Sequence, residues 1–288
     1  MGDWISGARP RTLTLAIAPV AMGSAAASTT NRFDWHLALL CLVVSLFLQI
    51  GVNYANDYSD GIRGTDKFRV GPARLTGAGV ANPKTVRNVA FASFAIAAIA
   101  GIAVIVISQY WWLFAVGVAC VAAAWLYTGG KRPYGYNALG EVFVFLFFGL
   151  VATAGTTLVQ AHHVPEAAWV MAVMIGLFSC AVLMVNNIRD IDQDRQAGKK
   201  TLAVVLGQRG ARIAYAVFLG LPYLLLVYFA FLYFGAGYVY FSAILAAPAI
   251  AIGVTGKTPP ELILALKLSS FTALAFALAL SAVLFFLL

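Results

Sequence analysis

The apolar residues of this chain fall in long unbroken blocks, with neither the alternation of a half-buried strand nor the single stripe of a surface helix. Stretches free of Asp, Glu, Lys and Arg run over Thr12–Asn31, Trp35–Asn56, Asn88–Gly130, Val142–Pro165, Ala167–Ile188, Ile213–Gly256 and Leu268–Leu288. A hydrocarbon core about 30 Å thick is crossed by roughly 20 helical residues, so every block predicts at least one membrane span. Asn88–Gly130 and Ile213–Gly256 are long enough for two, with breaks expected at Ser108-Gln109 and at Gly235-Ala236-Gly237. The pattern predicts nine transmembrane helices. A barrel is excluded because period-two alternation is missing, and helices satisfy their own backbone groups in lipid. Pro19, Pro222 and Pro248 are expected to kink the spans that hold them.

Composition agrees with this reading. Of 288 residues, 62% are hydrophobic and 10% charged, against about 45–50% apolar and about 25% charged in a soluble domain. Too few polar side chains remain to cover a globule in water, which predicts an all-α integral membrane protein built as one domain over residues 1–288. Cys41, Cys120 and Cys180 lie inside apolar blocks without any C-x-x-C pair, so neither a disulfide framework nor a zinc site is expected.

The net charge of +8 becomes informative once the cations are assigned to connections. With nine spans, the N-terminus and the connections after spans 2, 4, 6 and 8 share one side and hold 18 of the 19 Lys and Arg residues; Arg32 alone lies opposite. The positive-inside rule then predicts a multi-pass cell-membrane protein with its N-terminus and the long connections 57–87 and 189–212 cytoplasmic, and its C-terminus outside. The positive charge is explained by topology, and no nucleic-acid partner is inferred.

The two long connections carry the chemistry. Val52-Asn53-Tyr54-Ala55-Asn56-Asp57-Tyr58-Ser59-Asp60 closes the second span and Val185-Asn186-Asn187-Ile188-Arg189-Asp190-Ile191-Asp192-Gln193-Asp194 the sixth. Both contain V-N-x-x-x-D with another Asp three or four residues on, which hints at a duplicated helix end. On a helix Asp57 and Asp60 share a face, as do Asp190 and Asp194, whereas Asp192 points elsewhere. Carboxylates crowded at the edge of a low-dielectric region resist ionisation unless a cation joins them, and an oxygen-only set favours Mg²⁺. Asn53, Asn56, Asn186 and Asn187 add neutral oxygen ligands or supporting donors, Asn53 being counted among the ligands. Mg²⁺ keeps coordination positions for phosphate oxygens, so the expected guest is a diphosphate.

Cations follow each cluster: Arg63, Lys67, Arg69 and Arg74 after the first, Arg195, Lys199 and Lys200 after the second. Together with metal they would bind a diphosphate leaving group. Tyr58, Tyr127, Tyr134 and Tyr136 are candidates to stabilise a cation with their ring faces, or else anchors of the interfacial aromatic belt. Glu141, opening the fifth span, and Asp66, closing the first motif, complete the substrate-binding candidates.

At these positions the chain resembles the UbiA superfamily of intramembrane prenyltransferases, with N-D-x-x-D after the second helix and D-x-x-x-D after the sixth. Ala8-Arg9-Pro10-Arg11-Thr12-Leu13, Asn56–Asp66, Gly71-Pro72-Ala73-Arg74-Leu75-Thr76 and the stretch from Asn186 through Gly198-Lys199-Lys200-Thr201-Leu202 are similar to the branch acting on 1,4-dihydroxy-2-naphthoate in menaquinone synthesis. The resemblance implies nine helices around a central cavity, capped by the cytoplasmic loops and open sideways to lipid. It implies Mg²⁺ on Asp57, Asp60, Asp190 and Asp194, helped by Arg63 and Lys199, at a polyprenyl diphosphate. An allylic cation shielded by tyrosines would then be attacked by the aromatic acid, with loss of CO₂, giving demethylmenaquinone. Arg9, Arg11 or Lys131 would hold the acceptor carboxylate. Another aromatic acceptor such as 4-hydroxybenzoate, or a cation-coupled transporter, are the rival readings; a transporter would keep acidic residues mid-span, and here they sit at helix ends.

Overall fold

The computed structural model describes residues 2–65 and 74–286. Lys67, Arg69 and the expected substrate-binding Asp66 lie outside the described residues. The described chain is helical throughout: α1 (Gly2–Ala8), α2 (Pro10–Ser28), α3 (Trp35–Arg63), α4 (Pro83–Ser108), α5 (Leu113–Leu126), α6 (Gly140–Ala161), α7 (Glu166–Arg189), α8 (Ile191–Gln196), α9 (Leu202–Leu232), α10 (Ala243–Thr255) and α11 (Pro259–Phe286).

Local chemistry sets these boundaries. The Asp34 carboxylate caps α3 by accepting from the backbone N–H groups of His36 at 2.8 Å and Leu37 at 3.1 Å, an arrangement that contributes about 1 kcal/mol. Asn82 caps α4 in the same way, with Pro83 in the first turn where no N–H is needed. The break expected at Ser108-Gln109 is present, because α4 ends at Ser108 and Gln109 turns left-handed at φ 61°. The second expected break lies slightly earlier than the glycines: Tyr233 is extended, and a 3₁₀ segment over Phe234–Ser242 leads into α10. Inside α6 the backbone widens to a π-helix over Phe145–Ala154.

Seven helical stretches among the described residues are long and apolar enough to cross a membrane: α3, α4, α6, α7, α9, Phe234–Thr255 and α11. The other two expected spans correspond to α2, a helix of 19 residues with Arg11 in its first turn and Pro19 inside it, and to α5, an apolar helix of 14 residues. The expected loop boundaries at 57 and 189 also need correction. Counting uncharged residues ends a span at its first charge, but hydrogen bonding carries α3 on to Arg63 and α8 restarts the helix at Ile191. The connections proper are 64–82 and 190–201 with α8 inside it.

α7 is the central helix, buried along most of its length and packed on α2, α6, α9 and α11. Met171, Met174, Ile175, Phe178 and Met184 of α7 form a core with Met22 of α2, Tyr215 and Phe229 of α9 and Phe276 of α11. The other side of the molecule is looser. In α5 only Ala123 is buried, and between α3, α4, α5, α6 and α7 the side chains leave a cavity of about 860 Å³.

Candidate active site

One wall of the cavity is the inner face of α3, where Ser45, Gln49, Asn53, Asn56 and Asp60 follow one another at near-helical spacing. α7 supplies Ser179, Asn186 and Asn187, and the segment after it Asp190, Asp194, Lys199 and Thr201. The turn between α5 and α6 contributes Tyr127, Thr128, Tyr134 and Tyr136, and the chain entering α2 contributes Arg9. These polar residues close one end. The remainder is lined by apolar side chains such as Leu48, Ile105, Val116, Phe147 and Val151. Phe114 and Val118 line the cavity and are also exposed on the outer face, so the apolar arm reaches the surface beside α5.

Asp60 is the centre of the polar end. Its Oδ1 accepts from the Tyr136 hydroxyl at 2.6 Å, and its Oδ2 accepts from Arg74 Nη1 at 2.5 Å and Lys199 Nζ at 3.3 Å. Lys199 also stands 3.9 Å from Asp194, so one ammonium links the two acidic clusters, 139 residues apart for its bond to Asp60. Lys199 further lies over the Tyr136 ring, 4.7 Å from its centroid. A short backbone bridge fixes this meeting: the Lys200 N–H donates to the Tyr136 carbonyl at 3.0 Å. Burial and the neighbouring Asp60 push the Tyr136 phenol above its ordinary pKa, and burial does the same for Tyr134, so both remain neutral.

Other expected residues are brought to the same end. The Asn56 side-chain oxygen accepts from the Thr128 hydroxyl at 2.7 Å, and its carbonyl accepts from Arg74 at 2.9 Å. Asn53 donates to the Ala8 carbonyl at 2.9 Å, fastening the start of α2 beside Arg9. Tyr134 stacks on Phe143 at 4.1 Å between centroids and donates to the Ala123 carbonyl.

Several expected residues stand elsewhere. Asp57 does not line the cavity: its two oxygens accept from the backbone N–H groups of Leu75, at 2.9 Å, and Thr76, at 2.8 Å. It pins the turn that carries Arg74, and the turn sits so close to α3 that a Cβ on Gly61 would come within 2.5 Å of Thr76 Cβ. Arg63 does not itself line the cavity: it donates to the carbonyls of Thr128 and Gly130 in the turn after α5 and lies 5.7 Å from the centroid of the Tyr136 ring, bracing residues of the polar end. Tyr58 stacks toward Trp125 at 6.2 Å, as packing. Lys131 is exposed and outside the lining. Arg11, two residues past Arg9 in the first turn of α2, does not line the cavity. Glu141 is buried behind the wall, accepting from Asn187 at 3.1 Å.

Arg189 was not singled out by the sequence. Its Nε and Nη2 donate to the two oxygens of Asp190 at 2.7 and 2.5 Å, and Nη2 also reaches Asn186 at 3.0 Å. The only signal available was its position inside the acidic motif, which does not distinguish it from a solvated loop cation. Thr128 and Ser179 were equally hidden, because small hydroxyls in a span read as helix packing.

Three lines of comparison bear on this arrangement. Residues 16–261 match the model of the UbiA prenyltransferase family. The chain is similar to a 1,4-dihydroxy-2-naphthoate octaprenyltransferase of Mycobacterium tuberculosis, 44% identical over 99% of this chain and 97% of that protein. To the Escherichia coli enzyme of the same name it is 37% identical, over 75% of this chain and 72% of that one. In fold it is similar to a UbiA homolog from Aeropyrum pernix, with a TM-score of 0.70 and 16% identity over 92% of this chain and 96% of the other. It is also similar to one from Archaeoglobus fulgidus bound to GPP and Mg²⁺, with a TM-score of 0.67 and 16% identity over 98% and 100%. With the family model covering most of its length and relatives this similar end to end, the chain belongs to the UbiA prenyltransferase family.

Proposed function

We propose that this protein transfers a polyprenyl group from polyprenyl diphosphate to 1,4-dihydroxy-2-naphthoate, with loss of CO₂, to give demethylmenaquinol, the reduced form of demethylmenaquinone. The observation that carries the reading is the two-ended cavity. Arg74 and Lys199 offer cations for a diphosphate at one end, while the apolar arm toward Phe114 and Val118 suits an isoprenoid tail that is too apolar to leave the bilayer. The relatives' names supply the acceptor.

Mg²⁺ fits the donor set. Asp60, Asp190, Asp194 and the amide oxygen of Asn56 line one end of the cavity, and its lining cysteines, Cys41 and Cys120, belong to the apolar arm. Among the described residues no three acidic, His or Cys side chains are already gathered tightly enough to form a metal cluster; Arg74, Lys199 and Arg189 balance the carboxylates instead. Asp60, Asp190 and Asp194 would hold the ion, with Asn56 assisting, and Asp57 has its oxygens committed to the backbone. When bound, Mg²⁺ supplies electrophilic neutralisation of the diphosphate oxygens.

The chain's own residues then have distinct tasks. Arg74 and Lys199 hold the diphosphate, so that the C–O bond to the first prenyl carbon breaks with its electron pair going to oxygen. Tyr127, Tyr134 and Phe147 border the allylic carbon and shield the cation from water with their ring faces. Tyr136 stays protonated and keeps its hydroxyl on Asp60. Arg9, the cationic lining residue nearest the Asn53 anchor, holds the acceptor carboxylate in preference to the exposed Lys131. The ring carbon bearing that carboxylate forms the new bond, and the carboxylate leaves as CO₂, its C–C bonding pair returning to the ring so that the product is the aromatic quinol.

The same reading includes nine spans, with α2 and α5 completing the set, a cytoplasmic N-terminus and an outer C-terminus, because the Lys and Arg distribution is so lopsided. The test of function is to give purified protein labelled polyprenyl diphosphate, Mg²⁺ and either 1,4-dihydroxy-2-naphthoate or 4-hydroxybenzoate. Product is expected from the naphthoate; product from hydroxybenzoate alone would reject the acceptor. Accessibility of terminal tags in sealed vesicles tests the topology.

A further inference from the structure

A second concavity, of about 820 Å³, lies on the outer face of α9 beside α10, away from the helices that enclose the reaction cavity. It is lined by Arg209, Arg212, Ile213, Ala216, Val217, Gly220, Leu221 and Leu224 of α9 and Val254 of α10. Its shape follows from residue size. Ala216 and Gly220 make a trough between larger neighbours, and a Cβ added at Gly220 would meet no atom within 4 Å. Ile213, Val217 and Leu224 are exposed along it, as befits a surface facing acyl chains.

The polar residues sit at one end only. Gly207, at φ 69° and ψ 172°, interrupts α9 and begins a fresh helical stretch, so Arg209 and Arg212 share a face of its first turns. Arg212 is fixed: its Nη1 donates to the carbonyls of Gly253 and Val254, and its Nη2 to that of Gly256, closing the end of α10. Its charge is thereby held at the rim. Arg209 is exposed and has no ion-pair partner among the described residues, and no acidic residue lines the trough. Glu261, the acidic residue in the adjoining turn, is occupied by the N–H groups of Lys257 and Thr258.

We propose that this trough is a binding site for an anionic glycerophospholipid, with its phosphate at Arg209 and Arg212 and one acyl chain along Ala216, Gly220 and Leu224. Twelve helical residues separate Arg212 from Leu224, a rise of about 18 Å, against about 15 Å for one leaflet of the hydrocarbon core. A single lipid therefore spans the groove from headgroup to chain end. A zwitterionic headgroup such as phosphocholine brings a cation beside its phosphate that opposes the two guanidinium groups, which is why net charge selects among lipids here.

The experiment is native mass spectrometry of the detergent-purified full chain titrated with phosphatidylglycerol or with phosphatidylcholine. The intact protein is expected to retain phosphatidylglycerol in preference. Arg209→Gln should weaken that binding about fivefold, the effect of one interfacial cation, and Arg209→Glu should abolish the preference. Gly220→Leu, which fills the trough, should reduce retention of both lipids. Equal retention of the two lipids by the unaltered protein, or unchanged phosphatidylglycerol binding in Arg209→Glu and Gly220→Leu, overturns the proposal. So does displacement of the lipid by geranyl diphosphate, which would make the groove a substrate site.

Discussion

The two acidic helix ends look alike in sequence and behave differently in space. Both read V-N-x-x-x-D, so Asp57 corresponds to Asp190. Yet α3 continues unbroken to Arg63, and its cavity face is the row Asn53, Asn56, Asp60, which leaves Asp57 turned toward the covering segment at Leu75 and Thr76. α7 ends at Arg189, and Asp190, at φ −100° and ψ 11°, opens a new short helix that points both Asp190 and Asp194 into the cavity. A shared motif therefore fixed where acid lies along the chain, while the continuity of the helix fixed which acids face the cavity. One carboxylate of the first cluster holds the covering turn and the other faces the cavity.

That contrast is open to direct tests. Asp60→Ala and Asp190→Ala remove charge from the cavity itself and should lower prenyl transfer by about 10²–10³-fold, the size seen when a preorganised electrostatic group is lost. Asp60→Ala also leaves Arg74 and Lys199 without their shared counter-ion, so its thermal unfolding midpoint should fall. Asp57→Ala should instead show its main effect in stability, with about 1–3 kcal/mol lost from two unsatisfied backbone donors and a smaller fall in turnover. Equal turnover loss in Asp57→Ala and Asp60→Ala, with the unfolding midpoint of Asp57→Ala unchanged, would erase the distinction.

Arg189→Met frees Asp190 from its two-pronged partner without touching substrate. Activity should drop about tenfold, the worth of a charge-assisted bond of about 1.5 kcal/mol, and the Mg²⁺ concentration needed for half-maximal rate should shift as well. Tyr136→Phe removes one hydrogen bond to Asp60 and keeps the ring under Lys199, so a few-fold loss is expected from about 1 kcal/mol. The raised phenol pKa of Tyr134 and Tyr136 gives a pH signature. The unfolded tyrosines ionise near pH 10 while the folded ones stay neutral, so their contribution to stability is complete below about pH 10 and declines above it. Thermal unfolding measured from pH 7 to 11 should show that decline, reduced in Tyr136→Phe. The smallest effect is expected at Lys131→Ala, whose activity should stay within about twofold of the unaltered protein because an exposed surface change rarely matters.

The linear pattern was enough to determine that the chain is helical and membrane-embedded, since blocks of some twenty uncharged residues have one stable solution in lipid. It also located the two acidic clusters and the cations after them, because charge at the end of an apolar span is costly and stands out against its surroundings. It could not assign direction. Whether Asp57 or Asp60 faces the cavity depends on where the turn at Leu75 docks, and Tyr58 and Lys131 were drawn to the site by proximity in sequence although packing sends them to Trp125 and to the surface, while Arg63 reaches the site through Thr128 and Tyr136. Arg189 and Thr128 became visible only as partners of Asp190 and Asn56. Hydropathy is a sum over neighbours along the chain, whereas a site is a meeting of side chains more than a hundred residues apart, as Lys199 meets Asp60. Only the packing of α3 and α7 around one cavity, with the Tyr134–Tyr136 turn wedged between their ends, decides which groups meet.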